Sequence, residues 1–124
     1  MDEAQVRRTL AQYCQLLDDG RFDEWIELFT DDGTMLVMGG RHEGRDAIRA
    51  AVEPNQQAEQ RGRHLLSEPV IDIDGDRAVV TTDYAFVSRK LVVSSAGRYH
   101  DVLVRSDDRW RFASREIVFL GADR

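Results

Sequence analysis

Residues 74–87 read DGDRAVVTTDYAFV, and this stretch decides the class of the fold. Asp74-Gly75-Asp76 is a hairpin turn, since glycine reaches left-handed backbone without strain. From Arg77 to about Val92 the chain is one long β-rich run of valine, threonine and aromatic residues. Upstream, Arg63 to Ile73 reads as a partner strand with a bulge near Pro69. Downstream, a turn through Ser94, Ser95 and Ala96 leads into Gly97 to Ser106. Asp107-Asp108 then turns, and Arg109 to Leu120 closes the sheet. The second half is thus a set of long antiparallel strands.

The first half reads differently. Val6, Leu10, Tyr13, Cys14 and Leu17 repeat at helical spacing, with Asp2 as the cap, Gln5 at the capping-box position and Gly20 as the stop. Phe22, Trp25, Ile26, Leu28 and Phe29 supply the apolar side of a short second helix, after which Asp31-Asp32-Gly33 turns. Thr34 to Met38 suits a strand, Gly39-Gly40 a tight turn, and Arg41 to Glu43 a short partner strand. A third helix is expected from about Asp46 to Glu53, ended by Pro54, with a polar mobile loop over 55–62. Helices segregated from strands argue α+β. A curved, mostly antiparallel sheet with helices across its concave face makes a cone-shaped α+β barrel enclosing a pocket, here as a single domain over 1–124.

The totals narrow the function. A net charge of -6 argues against a nucleic-acid binder, and the short cluster Arg61-Gly62-Arg63-His64 reads as a solvated loop. No apolar run approaches the roughly 20 residues of a membrane helix, and the acidic start at Met1-Asp2-Glu3 lacks a signal-peptide segment, so a cytoplasmic protein is expected. The one cysteine, Cys14, suits a reducing compartment and lies on a buried helix face as packing. With His42, His64 and His100 not at metal-site spacing, and no phosphate or dinucleotide fingerprint, neither a metal nor a cofactor is expected.

A series of short motifs in order carries a resemblance over nearly the whole chain. They are Asp18-Asp19-Gly20-Arg21-Phe22-Asp23, Leu28-Phe29-Thr30-Asp31-Asp32, Gly44-Arg45-Asp46-Ala47-Ile48, Arg63-His64, Asp74-Gly75-Asp76-Arg77-Ala78, Gly97-Arg98-Tyr99-His100-Asp101 and Arg109-Trp110-Arg111-Phe112. The chain resembles the SnoaL-like branch of the nuclear-transport-factor-2-like superfamily, which includes scytalone dehydratase, bile-acid dehydratase, ketosteroid isomerase and polyketide cyclases as well as non-enzymes.

From the residues alone, Asp18 is a turn aspartate or a carboxylate on the buried helix face, four residues after Cys14. His64 is a packed ring beside Leu65 and Leu66 or a base, and Tyr13 is core or pocket border. The resemblance implies that Asp18 orients His64 as a general base and that Tyr13 donates to a developing oxyanion. On the Gly97 strand, periodicity leaves two faces open: Tyr99 with Asp101, or His100 with Val102. The resemblance puts Tyr99 and Asp101 inside, Asp101 as a protonated donor; the alternative is an aspartate bonded to an arginine such as Arg115. Trp25, Phe29 and Val37 are candidate substrate-lining residues, the two aromatics reading equally as core. Val37 stands near where ketosteroid isomerase carries its base, so that chemistry is not expected in its usual form.

The expected function is a cofactor-independent lyase, isomerase or cyclase, dehydratase-like, acting on a small hydrophobic oxygenated ring metabolite. The alternative is a non-catalytic binding or assembly module of the same fold. Relatives commonly pair through the sheet, so a homodimer is expected, with no nucleic-acid or membrane partner.

Overall fold

Helix α1 (Asp2–Asp18) opens the part of the chain described by the computed structural model, residues 2–121. Val6, Leu10, Tyr13, Cys14 and Leu17 form its buried stripe, joined by Thr9 and Asp18. Asp2 is not the expected cap. It lies in the first turn, and its carboxylate accepts from Arg105 Nη1 (3.0 Å) and Trp110 Nε1 (3.3 Å). The helix stops at Gly20, whose φ is +73°. The Arg21 amide donates to the Leu16 carbonyl and the Gly20 amide to the Leu17 carbonyl, the double closure that a left-handed glycine permits. That closure makes Asp18 the last helical residue. Helix α2 (Phe22–Ile26) follows, with Trp25 and Ile26 buried.

Strand β1 (Phe29–Val37) starts earlier than expected. Asp31-Asp32-Gly33 is an excursion within the strand, not a turn before it. Gly44 N–H donates to Gly33 O (2.7 Å), while the Arg45 guanidinium donates to Phe29 O (2.7 Å) and pairs with Asp31 (2.9 Å). The link to β2 (Gly40–Glu43) is Met38-Gly39, at φ +52° and +76°, rather than Gly39-Gly40. Val37 pairs with Gly40, and a two-residue hairpin favours positive φ at both central positions. Helix α3 (Arg45–Val52) buries Ile48. The expected polar loop is instead two short 3-10 turns, Glu53–Asn55 and Ala58–Gln60, the second closed by reciprocal side-chain-to-backbone bonds between Gln57 and Gln60.

The sheet is completed by β3 (Arg63–Leu66), β4 (Val70–Asp74), β5 (Arg77–Val87), β6 (Val93–Ser106) and β7 (Arg109–Phe119). Its strand order is β2-β1-β7-β6-β5-β3, with β4 also on β5. Only β1 with β7 is a parallel pair among the described strands. The stretch expected as one strand is two, parted between Leu66 and Val70, where Pro69 has no N–H for the ladder. The β5–β6 connection is not at Ser94–Ala96 but at Ser88–Val92, with Leu91 at φ +60°. Ser95 and Ala96 pair with Phe86 and Ala85, so continuing the ladder satisfies backbone groups that a turn there would leave open.

One irregularity bears on the site. Leu103 pairs with Phe112 and Val102 with Ser114, which leaves Ala113 as an extra residue in β7. A one-residue bulge reverses which side chains face the core. Trp110 and Phe112 are buried before it, and Arg115 is buried after it. The result is a curved, unclosed sheet with α1 across its concave face, where Thr9 Oγ1 donates to Trp110 O at 2.9 Å.

Replacing Gly20 by alanine is expected to lower stability by about 1–2 kcal/mol in urea unfolding, because a non-glycine residue is strained at this φ. The new Cβ would also lie 2.7 Å from Arg61 Cζ. Unchanged stability would refute this account of how α1 ends.

Candidate functional site

The end of α1 lies over β3, the last strand of the sheet path, and there the two chain segments meet through one carboxylate. Asp18 Oδ1 is 2.6 Å from His64 Nδ1, and Asp18 Oδ2 accepts the His64 backbone N–H at 2.8 Å. The side chains are 3% and 10% exposed, so the pair is nearly sheltered from water. A carboxylate at a helix C-terminus opposes the helix dipole and needs donors of its own. Both of its oxygens have one here. An Nδ1–H donated to this carboxylate holds the ring in the tautomer whose lone pair sits on Nε2. The His64 ring packs on Phe86, directly across the ladder, with ring centroids 4.8 Å apart, and lies 6.3 Å from the Tyr84 ring.

A second polar group is buried deeper. Arg115 donates from Nε and Nη2 to the two carboxylate oxygens of Asp101, at 2.7 and 2.8 Å, with both side chains fully buried. The guanidinium carbon lies 3.7 Å from the Tyr99 ring centre, 4.1 Å from that of Tyr13 and 4.4 Å from that of Phe112. These are cation–π distances. Burial alone would lower the Arg115 pKa, but the Asp101 charge outweighs it and raises the pKa above its ordinary value. Arg115 Nη1 has no hydrogen-bond acceptor among the described residues, and neither does the buried Trp25 Nε1. Burial pushes the Tyr13 hydroxyl up to about 12, against the pull of Arg115, and pushes Tyr99 well above its ordinary value. Both phenols therefore stay protonated as donors at neutral pH.

The sequence expectations fare unequally. Asp18 and His64 come together. Tyr13 and Tyr99 face the interior with rings 6.0 Å apart, and His100 points outward. Asp101 is inside, but as the acceptor of two Arg115 bonds rather than the donor that the resemblance implies. Trp25 and Phe29 do not line an opening. Both are 0% exposed and pack against each other and Tyr13, because these three rings and Phe112 fill this end of the interior. Val37 is half-buried against the core beside Ile117. Sequence reasoning named Arg115 only as a partner for Asp101, and it passed over Tyr84 and Ser95. Strict alternation from Trp110 and Phe112 points Arg115 outward, and the local sequence around Ser95 favours a turn. Cys14, buried on α1, has its thiol pushed up to about 12 by burial and is unreactive packing. No group of three or more potential metal ligands clusters among the described residues.

A family model for the SnoaL-like domain matches residues 1–116. The anthranilate 1,2-dioxygenase small subunit of Burkholderia cepacia is 24% identical over 129 residues, covering 87% of this chain and 80% of that one. Among solved structures, a scytalone dehydratase-like protein of Novosphingobium aromaticivorans superposes with a TM-score of 0.84 at 23% identity, over 95% of this chain and 83% of that one. ActVI-ORFA of Streptomyces coelicolor superposes with a TM-score of 0.82 at 22% identity, over 96% and 98%. At these identities the structural likeness is one of fold.

Breaking the buried ion pair from one side is expected to cost about 3–5 kcal/mol, because it strands a charge in the core. Arg115→Met and Asp101→Leu should each show this loss in urea unfolding. The double variant should lose clearly less than the sum. Additive losses would show that the two side chains are not coupled.

Proposed function

The chain belongs to the SnoaL-like domain family, and on that footing we propose that it is a cofactor-independent, dehydratase-like lyase, isomerase or cyclase. Its substrate would be a hydrophobic oxygenated ring compound of the polyketide, steroid or terpenoid kind. The observation that carries this reading is the grip of Asp18 on His64 by both carboxylate oxygens. A histidine needed only for packing would not require its tautomer held from a helix end.

In the proposed reaction His64 Nε2 takes a proton from the carbon next to a carbonyl group, and the electron pair of that C–H bond moves to the carbonyl oxygen as an enolate. Buried donors near Tyr13 favour the oxygen's negative charge: the Tyr13 and Tyr99 hydroxyls and the unpaired Nη1 of Arg115. Asp101 keeps the Arg115 fork in place and is not itself the donor. When a β-hydroxyl departs, it takes the proton from His64 and leaves as water while the enolate collapses to the conjugated carbonyl. When the enolate carbon attacks a second carbonyl, a ring closes instead. Both outcomes use the same base and the same donors.

A second reading, a binding or assembly module, is favoured by the sequence likeness to a dioxygenase small subunit. The outer face of the sheet also suits a partner. Val79 is 42% exposed there, and Asp83, Arg98, His100 and Val118 help line a groove. On the same observation we propose that two copies pair through this face. The proposed compartment is the cytoplasm, in keeping with a single unpaired cysteine. None of the described helices is long and apolar enough to cross a membrane.

Asp18→Asn and His64→Ala are expected to keep ring-compound binding, read as a ligand-induced rise in melting temperature, while lowering turnover by about 100-fold or more. Full activity in both variants would refute His64 as the base, whereas no turnover of any ring compound by the wild-type chain would leave only the assembly reading. Sedimentation at micromolar concentration should show a dimer of the 14.2 kDa chain; a monomer throughout would end the pairing proposal.

A further inference from the structure

Gly97 of β6 faces Tyr84 of β5 across the ladder, and the missing side chain has a use. A Cβ at Gly97 would run first into the Val118 carbonyl oxygen and would also stand 3.0 Å from Tyr84 Cε1 and 3.1 Å from Phe119 Cα, so the neighbouring backbone and the Tyr84 ring together take the space of a side chain. Leaning over the glycine, Tyr84 stacks on Tyr99 with ring centroids 4.6 Å apart and planes 12° from parallel. Its hydroxyl meets Ser95 Oγ at 2.9 Å. The ring is 7% exposed and lies 6.3 Å from that of His64. Three contacts, with Gly97, Tyr99 and Ser95, thus hold one phenol near the base, and the proton-abstraction scheme makes no use of its hydroxyl.

The hydrogen-bond count is incomplete. Two hydroxyls bring two O–H donors, and the bond between them consumes one. Either atom can be the donor in that bond. When Ser95 donates to Tyr84, the Tyr84 proton is left over for an outside acceptor, on a ring whose centre is 6.3 Å from that of His64. Burial raises the Tyr84 pKa above its ordinary value, against the smaller effect of the Ser95 bond, so the hydroxyl remains a donor at neutral pH.

We infer that Tyr84, partnered by Ser95, recognises an oxygen substituent on the substrate ring on the His64 side of the site. The inference rests on the proposed reading that the cone takes ring compounds, and it narrows the substrate class. The ring must carry a hydroxyl or carbonyl oxygen there, which sets apart oxygenated rings from hydrocarbons of the same shape. Tyr84 is a specificity residue in this account, and the oxyanion donors near Tyr13 act on a different oxygen.

Two bicyclic probes of equal size test it: 2-naphthol, and 2-methylnaphthalene, which replaces the oxygen by a methyl group. Calorimetric titration of the wild-type chain should show 2-naphthol binding roughly three- to tenfold more tightly, the range for one net hydrogen bond. Tyr84→Phe should erase that preference and leave 2-methylnaphthalene binding unchanged. His64→Gln should keep it. Ser95→Ala, which leaves the ring intact, should at least halve it and serves if Tyr84→Phe does not fold. A preference that survives both Tyr84→Phe and Ser95→Ala, or is lost in His64→Gln, overturns the inference and leaves the proposed enzyme standing. Absence of preference in the wild type does the same. If neither probe binds, the ring-binding reading falls with it.

Discussion

A carboxylate in the last turn of a helix faces the negative end of that helix's dipole, and Asp18 is held there because His64 brings two N–H groups to it. This one contact joins the first element of the fold to the terminal strand of the sheet path. Other polar contacts of α1 also tie it to the sheet. Asp2 reaches Arg105 and Trp110 at the far end, and Thr9 bonds the Trp110 carbonyl between them. Polar tethers at both ends fix how far along the sheet the apolar stripe sits. A helix sliding by one turn would keep its grease buried yet lose every tether. The aim of the imidazole therefore follows from the same constraint that sets the helix in place.

The interior has two zones with different physical character. Tyr13, Trp25, Phe29 and Phe112 make a ring cluster with centroid spacings from 5.3 to 6.2 Å, filled as a core is filled. Arg115 and Asp101 are set against that cluster. A buried ion pair is weak evidence for stability, since apolar side chains of similar volume often serve as well or better. Here the pair sits beside Tyr13 and Tyr99, and the Nη1 nitrogen of the guanidinium has no acceptor among the described residues. Around His64 lies the second zone, where Phe86, Tyr84 and Ser95 combine apolar walls with hydroxyl groups. A ring compound bearing oxygen suits such a surface. Asp18 on His64 and Asp101 on Arg115 pair the charged groups with partners of their own, so few unpaired charges meet it.

By itself the sequence determined the element types and their order, because helical and strand periodicities are local properties. The stripe from Val6 to Leu17, the stop at Gly20 and the turns at Gly75 and Asp107-Asp108 were legible from neighbours in the chain. Asp18 and His64 were legible as candidates, through helix-face spacing and through resemblance. Their meeting was not, since 46 residues separate them and only the docking of α1 on β3 closes the distance. Tertiary structure also decided the inward face of the last strand. The extra residue at Ala113 is invisible to a period-two reading, yet it turns Arg115 from the surface into the centre of the molecule. Pairing with Phe86 and Ala85 likewise made strand out of Ser95 and Ala96, which local propensity had read as turn. In each case the deciding energy lies in contacts between distant segments, and no window along the chain contains it.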